Sequence, residues 1–235
     1  MTKAQQVHEL LLAPIVCDDR QRDKPIRQGN TILTGQRYAS TFIDEDMSDF
    51  AVGFYEIVYD RPMLDDRGFI RDLDYAGDTM NSFETTARRV LGRERPPEVE
   101  WPCYLREYKQ RYRCLANFWV LPLEMGRTLK GPLNKARRAQ DYMDRFLRLI
   151  RTEAPFGGDG GGFFQSFTDW DDFVERQFLR RGYLAREGKI KEMSGGSPES
   201  FISGALAAME DRARDIAESE YMEPLWSYFE RNGVL

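Results

Sequence analysis

The sequence predicts a mainly α-helical chain: an irregular α or α+β fold with a few short strands and a helical C-terminal portion. Three observations carry that prediction. Apolar residues recur at helical spacing over 134–152, where Ala139, Tyr142, Met143, Phe146, Leu149 and Ile150 fall on one face. Cap residues and Gly or Pro stops bracket several further helical windows. Strand-like composition is confined to 30–43 and 115–122. The 235 residues are 41% hydrophobic and 13% aromatic, which suffices for a sizeable core and argues against disorder.

The elements follow in order. A short helix is expected over Thr2–Leu12, then a charged loop over Asp18–Gln28. Gly29–Phe42, rich in Thr, Ile and Tyr with Gly35 at its middle, reads as a short hairpin or irregular extended segment. Ser48 is placed to cap an aromatic helix over Asp49–Tyr59, which Pro62 stops. Asp65–Gly77 is acidic and loop-like. Asn81 or Asp78 caps a helix through Leu91, and Gly92 ends it. Tyr104–Cys114 repeats Leu, Tyr and Arg at helical spacing, and Leu115–Leu121 is an apolar run fit for a buried strand or an extended passage that Pro122 ends. Gly126 and Gly131-Pro132 mark a turn before the helix over Asn134–Thr152. Thr168 precedes Asp171 at capping-box spacing, opening a helix through Arg181. Ser194–Pro198 reads as a flexible break. Pro198 suits the first turn of a helix running to Glu218, with a last helix over Pro224–Arg231.

The six-residue run Gly157–Gly162 has little to pack and divides the chain: an α-rich core over 1–154, a Gly-rich linker over 155–165 and a helical portion over 166–235, which together can also form one continuous domain. Cys17, Cys103 and Cys114 are too few for a disulfide framework and suit a reducing cytoplasm, with Cys103 and Cys114 read as buried thiols. The apolar run Leu10–Val16 is too short to span a membrane and no small-residue cleavage site follows it, so the expected location is cytoplasmic without membrane association.

Charge is the most informative feature for function. Arg106–Arg151 holds twelve Lys or Arg against four Asp or Glu, while the whole chain is −5. Such a split can produce a surface suited to phosphate, or helix faces that pair within the fold. The densest part, Arg127, Lys130, Lys135, Arg137 and Arg138, is the candidate nucleic-acid or anion contact. Zinc chemistry and imidazole-dependent nucleophilic sites find little support, because His8 is the single histidine and no C-x-x-C spacing occurs. Asp72 and Asp74 form an Asp-x-Asp pair that a hard cation accepts, but without the glycine-turned spacing of a calcium loop they read as a solvated loop, so neither a metal nor another cofactor is expected. The glycine run lacks the Gly-Lys-Ser/Thr ending of a phosphate loop. Glu107-x-Lys109 lies in a helical pattern and Glu187-x-Lys189 beside Gly188, neither of which suits a nuclease metal site. Asp169, Asp171 and Asp172 read as helix N-terminal charges.

Two resemblances attach to particular residues. Leu115-Ala116-Asn117-Phe118-Trp119-Val120-Leu121-Pro122 with Lys135 resembles the C-terminal tail of HNH-type nuclease domains, over about thirty residues. The catalytic histidine of those domains has no counterpart here, so the likeness implies a scaffold without the catalysis. A broader segment resembles a bacterial family without an assigned activity: Leu121-Pro122, Gly131, Asn134 to Arg137, Asp144-Arg145-Phe146, Leu149 and Ile150. It implies a fold relation and a bacterial source, with a defence or mobile-element setting as an extension.

The expected function is that of a non-enzymatic binding or regulatory protein acting through a protein–protein surface. The competing expectation is a nucleic-acid-binding protein that uses the 127–138 cations. Trp226, Tyr228 and Phe229 serve equally as a dimer anchor or as packing onto the main fold, so oligomeric state stays open.

Overall fold

The fold is described from a computed structural model, over residues 1–19, 24–36, 45–59, 75–122, 142–158 and 163–235. It is mainly α-helical with a few short strands, as the sequence predicts. The helices are α1 (Lys3–Leu12), α2 (Asp49–Val58), α3 (Phe83–Leu91), α4 (Cys103–Arg111), α5 (Met143–Glu153), α6 (Trp170–Arg176), α7 (Arg180–Tyr183), α8 (Pro198–Ala217) and α9 (Met222–Arg231). The strands are β1 (Ile15–Asp19), β2 (Ile26–Gln28), β3 (Thr31–Gly35), β4 (Tyr75–Thr79) and β5 (Phe118–Pro122).

The chain divides into two interleaved units. The first comprises Met1–Thr79, Arg113–Leu121 and Ala213–Leu235; the second comprises Met80–Tyr112 and Pro122–Arg212. Both flanks of the glycine run fall within the second unit.

In the first unit α1 starts with a complete capping box: Thr2 Oγ1 accepts from Gln5 N at 3.2 Å, and Gln5 Oε1 accepts from Thr2 N at 2.7 Å. Its buried stripe is Val7, Leu10 and Leu11. β3 pairs in parallel with β1, matching Ile15 to Ile32 and Cys17 to Thr34, and antiparallel with β2, matching Gln28 to Thr31. The hairpin turns at Gly29, whose φ of +59° is open to glycine at little cost; of the expected segment, residues 37–42 lie outside the described region. The charged stretch expected as a loop over Asp18–Gln28 thus contributes strand residues at both ends, because pairing with β3 overrides its weak intrinsic preference. Residues 75–77, expected in a loop, also lie in a strand, since β4 pairs with β5.

Ser48 caps α2 as expected, its Oγ accepting from Ala51 N at 3.2 Å. Phe50, Phe54 and Tyr55 of α2 are buried, and Phe50 meets Tyr228 and Phe229 of α9 with ring centroids 5.5 and 5.7 Å apart. Gly53 permits this approach: a Cβ there would stand 2.6 Å from Tyr228 Cζ. The C-terminal aromatics therefore pack on their own unit, with Trp226 Nε1 donating to Gln6 Oε1 at 3.0 Å and Tyr228 Oη to the Phe50 carbonyl at 3.1 Å.

In the second unit, Asn81 does not cap α3. It is fully buried, its Nδ2 donates to Tyr183 Oη at 2.7 Å, and Tyr108 Oη donates to its carbonyl at 2.8 Å. Asp78 lies in β4, and Ser82 holds the cap position of α3; Gly92 ends that helix, as expected, at φ +80°. The strong periodicity near 134–152 corresponds to α5, which begins only at Met143 because Tyr142 has extended φ of −132°. Its buried side chains are Met143, Asp144, Phe146, Leu147 and Ile150, so Leu147 replaces the expected Leu149; residues 134–141 lie outside the described region. The expected Thr168–Asp171 capping box is displaced by one residue: Asp169 Oδ1 accepts from Asp172 N, and Asp172 Oδ2 accepts from Thr168 N, both at 2.9 Å. The helix it opens ends at Arg176, where Phe178 adopts φ +56°, and α7 follows as a separate turn. Here Arg180 is held above the ordinary arginine range by its hydrogen bond to Glu175, against desolvation and with help from Asp171.

Candidate functional site

Two places gather chemistry-bearing side chains, one in each unit. In the first unit, α1 and the end of α8 line a groove of about 370 Å³. Ala4, Gln5, His8 and Glu9 face it at helical spacing from one side, and Arg214, Ala217 and Glu218 from the other. Charges of both signs, Glu9 and Glu218 with Arg214, line it together with Ala4 and Ala217. Its size lies within the range of ligand and side-chain pockets. His8, the single histidine, is half-buried on this wall.

In the second unit, Asp144 is fully buried and fixes the turn that precedes α8. Its Oδ2 accepts from Met193 N at 3.1 Å, Ser194 N at 3.1 Å and Ser194 Oγ at 2.9 Å. Arg148 Nη1 lies 3.6 Å from the same oxygen. Arg145 Nε donates to Ser194 Oγ at 2.9 Å and sits over the Tyr142 ring. Three hydrogen bonds and one ion pair thus converge on a single buried carboxylate oxygen. The segment Ser194–Pro198, expected to be a flexible break, is instead pinned at Ser194, which is only 4% exposed. The sequence signal was Asp144 on the buried face of a helix, a position that demands partners.

The other sequence candidates divide cleanly. Arg127, Lys130, Asn134, Lys135, Arg137 and Arg138, with Asp72 and Asp74, lie outside the described residues. Asn117 is fully buried in a 3-10 turn, Leu115–Asn117, that leads directly into β5, of which Pro122 is the last residue. Asp144 and Arg145 come together at the Ser194 turn. The flanks of the basic block are engaged inside the fold: Lys109 with Glu98, Arg111 with Glu107 at 3.0 Å, Arg113 with Glu45 at 2.6 Å, and Arg151 over the Trp170 ring. Glu107 is thus a helical ion-pair partner, and Glu187 stands in a turn beside Gly188 at φ +77°.

Among the described residues no three His, Cys, Asp or Glu side chains are grouped to hold a metal, and no helix is long and apolar enough to cross a membrane. The three cysteines are free; Cys17 and Cys114 are buried, whereas Cys103, expected inside, is exposed on the first turn of α4. The class defined by the fold is a mainly α-helical protein with a few short strands, which form two small sheets among the described residues. Comparison of the chain with protein families, with characterised proteins and with solved structures finds no match.

Proposed function

We propose that this is a non-enzymatic binding or regulatory protein of the bacterial cytoplasm that acts through a protein–protein surface. The observation that supports it most directly is the groove between α1 and the end of α8, which Glu9, Arg214 and Glu218 line together with Met1, Ala4 and Ala217. A groove lined by a mixture of charged and apolar side chains suits a protein surface better than it suits bond-breaking chemistry. The engagement of the buried Asp144 with a backbone turn adds support, since that carboxylate holds structure. The free thiols fit a reducing compartment. The bacterial setting, and a defence or mobile-element role, rest on the sequence resemblances.

The test is parallel affinity isolation from bacterial lysate with the wild type and with Ala4→Trp, which fills the groove. A protein captured by the wild type and lost with a folded Ala4→Trp variant is the expected result. Identical captures by both would overturn the groove as the binding surface.

A second reading, nucleic-acid binding, is favoured by the five cations within 127–138, a density the paired flanking cations do not share. It predicts affinity for DNA or RNA that falls steeply with salt through counterion release, and that Lys135→Glu with Arg137→Glu abolishes. Unchanged affinity in that double variant would reject it.

A further inference from the structure

Helix α5 turns much of its surface into the core, with Met143, Phe146, Leu147 and Ile150 fully buried. What it leaves outside is mostly basic. Arg145, Arg148 and Arg151 are exposed and recur at every third position, over about 9 Å of helix. At about 100° per residue, Arg148 and Arg151 step round the helix from Arg145 in one direction, and the exposed Glu153 lies round the other way.

All three arginines are held in place. Arg145 Nε donates to Ser194 Oγ at 2.9 Å, and its guanidinium lies over the Tyr142 ring, 4.8 Å from the centroid. Arg151 Nη1 reaches the Gly188 carbonyl at 3.5 Å, and its guanidinium lies over the Trp170 ring at 5.5 Å. Arg148 Nη1 stands 3.6 Å from Asp144 Oδ2, an oxygen that also accepts three hydrogen bonds from Met193 and Ser194. The contacts of Arg145 at 194 and of Arg151 at 188 set the segment Gly188–Ser194 beside α5 in the opposite sense, so the exposed Lys189 and Lys191 flank the row. The exposed charges of α5 and of Arg186–Glu192 are six Lys or Arg against Glu153, Glu187 and Glu192, in a chain whose total is −5. Residues 123–141, outside the described region, hold five Lys or Arg against Glu124 and Asp141, so the sequence leading to α5 carries the same sign. An exposed arginine already laid on a ring loses little side-chain entropy on meeting a phosphate, and its outer side can take the face of a base. An acidic protein would meet the charges and leave those planes unused. A duplex, with its bases stacked on one another, would do the same.

We propose that the exposed face of α5, flanked by Lys189, is a binding surface for single-stranded nucleic acid. Arg148 and Lys189 meet the phosphates, and Arg145 and Arg151 present ring-backed planes to phosphates and bases. The surface belongs wholly to the second unit, is separate from the groove of the first, and consists of other residues than the 127–138 cations.

The experiment is fluorescence anisotropy of a labelled oligothymidine of about 20 nucleotides with the full chain, over about 20–200 mM sodium chloride. Affinity that falls linearly with salt on logarithmic axes is expected. Arg148→Gln with Arg151→Gln should flatten that slope by about 1.4, two phosphate contacts on a single strand, and weaken binding about tenfold or more at the lowest salt. Arg148→Lys with Arg151→Lys keeps the charges and should restore the slope, which a merely structural role would not require. An unlabelled duplex of the same length should compete less well than the single strand. No binding at the lowest salt, a wild-type slope and affinity in the Gln double variant, or equal competition by the duplex overturns the proposal. Loss confined to Lys135→Glu with Arg137→Glu also overturns it, while leaving the reading built on 127–138 in place. Should the Gln double variant fail to fold, Lys189→Gln decides: a slope flattened by about 0.7 supports the surface, and an unchanged slope overturns it.

Discussion

The packing of α2 on α9 in the first unit and the tether of α5 to the Ser194 turn in the second are opposite solutions to one problem. Both fix a helix against a segment distant in sequence. The α2–α9 contact does so with Phe50, Tyr228 and Phe229, side chains that satisfy themselves by packing against any apolar neighbour of fitting shape. The α5 tether does so with one carboxylate oxygen that accepts three hydrogen bonds from a single turn. The first kind of contact degrades gradually when altered. The second fails at once, because its loss leaves donors buried without acceptors.

The largest expected effect tests that difference directly. Asp144→Ala removes the acceptor for two backbone N–H groups and a hydroxyl, and should cost about 3–5 kcal/mol in urea unfolding. Asp144→Asn keeps an acceptor oxygen and should cost clearly less. An Ala variant as stable as the wild type would show that water replaces the carboxylate and that the turn does not depend on it.

A smaller effect probes the aromatic contact. In an open helix Gly→Ala stabilises by roughly 1 kcal/mol, but at Gly53 the added Cβ meets the Tyr228 ring, so Gly53→Ala should destabilise by about 1–3 kcal/mol. In a Tyr228→Ala background the same change should become stabilising. A loss of equal size in both backgrounds would place its cause elsewhere than in the ring.

Ser48→Ala removes the hydrogen bond to Ala51 N and should lower stability by about 1 kcal/mol. The weakest prediction concerns the solvated charges: Arg111→Gln, breaking the ion pair with Glu107, should change stability by less than about 0.5 kcal/mol, and by less still in high salt. A drop of several kcal/mol there would mean that this flank of the basic block carries more of the fold than its exposure suggests.

The legibility of these features in the sequence follows the same line. Ser48, Gly92 and Pro198 were readable because caps and stops act within one turn of the backbone. Asn81 was misread as a cap because its residue type suits that role, whereas its amide is drawn to Tyr183, 102 positions later. The serine and glycines at 194–196 looked like a flexible break because their composition carries no trace of a carboxylate waiting fifty residues earlier. Of the candidate site, the sequence pointed to Asp144 and Arg145 as members of one segment; their meeting with Arg89 at Ser194 was not legible, since no periodicity relates the three.

By itself, then, the sequence determined the mainly helical class, the positions of most helices and several of their ends, because propensity, capping and amphipathic spacing are local energies written in neighbouring residues. Tertiary structure alone decided the parallel pairing of β1 with β3, the interleaving of the two units, the break between α6 and α7 at Phe178 and the partners of the buried polar groups. Those depend on hydrogen bonds and close packing between residues far apart in the chain, whose strength comes from burial that exists only after the fold has formed.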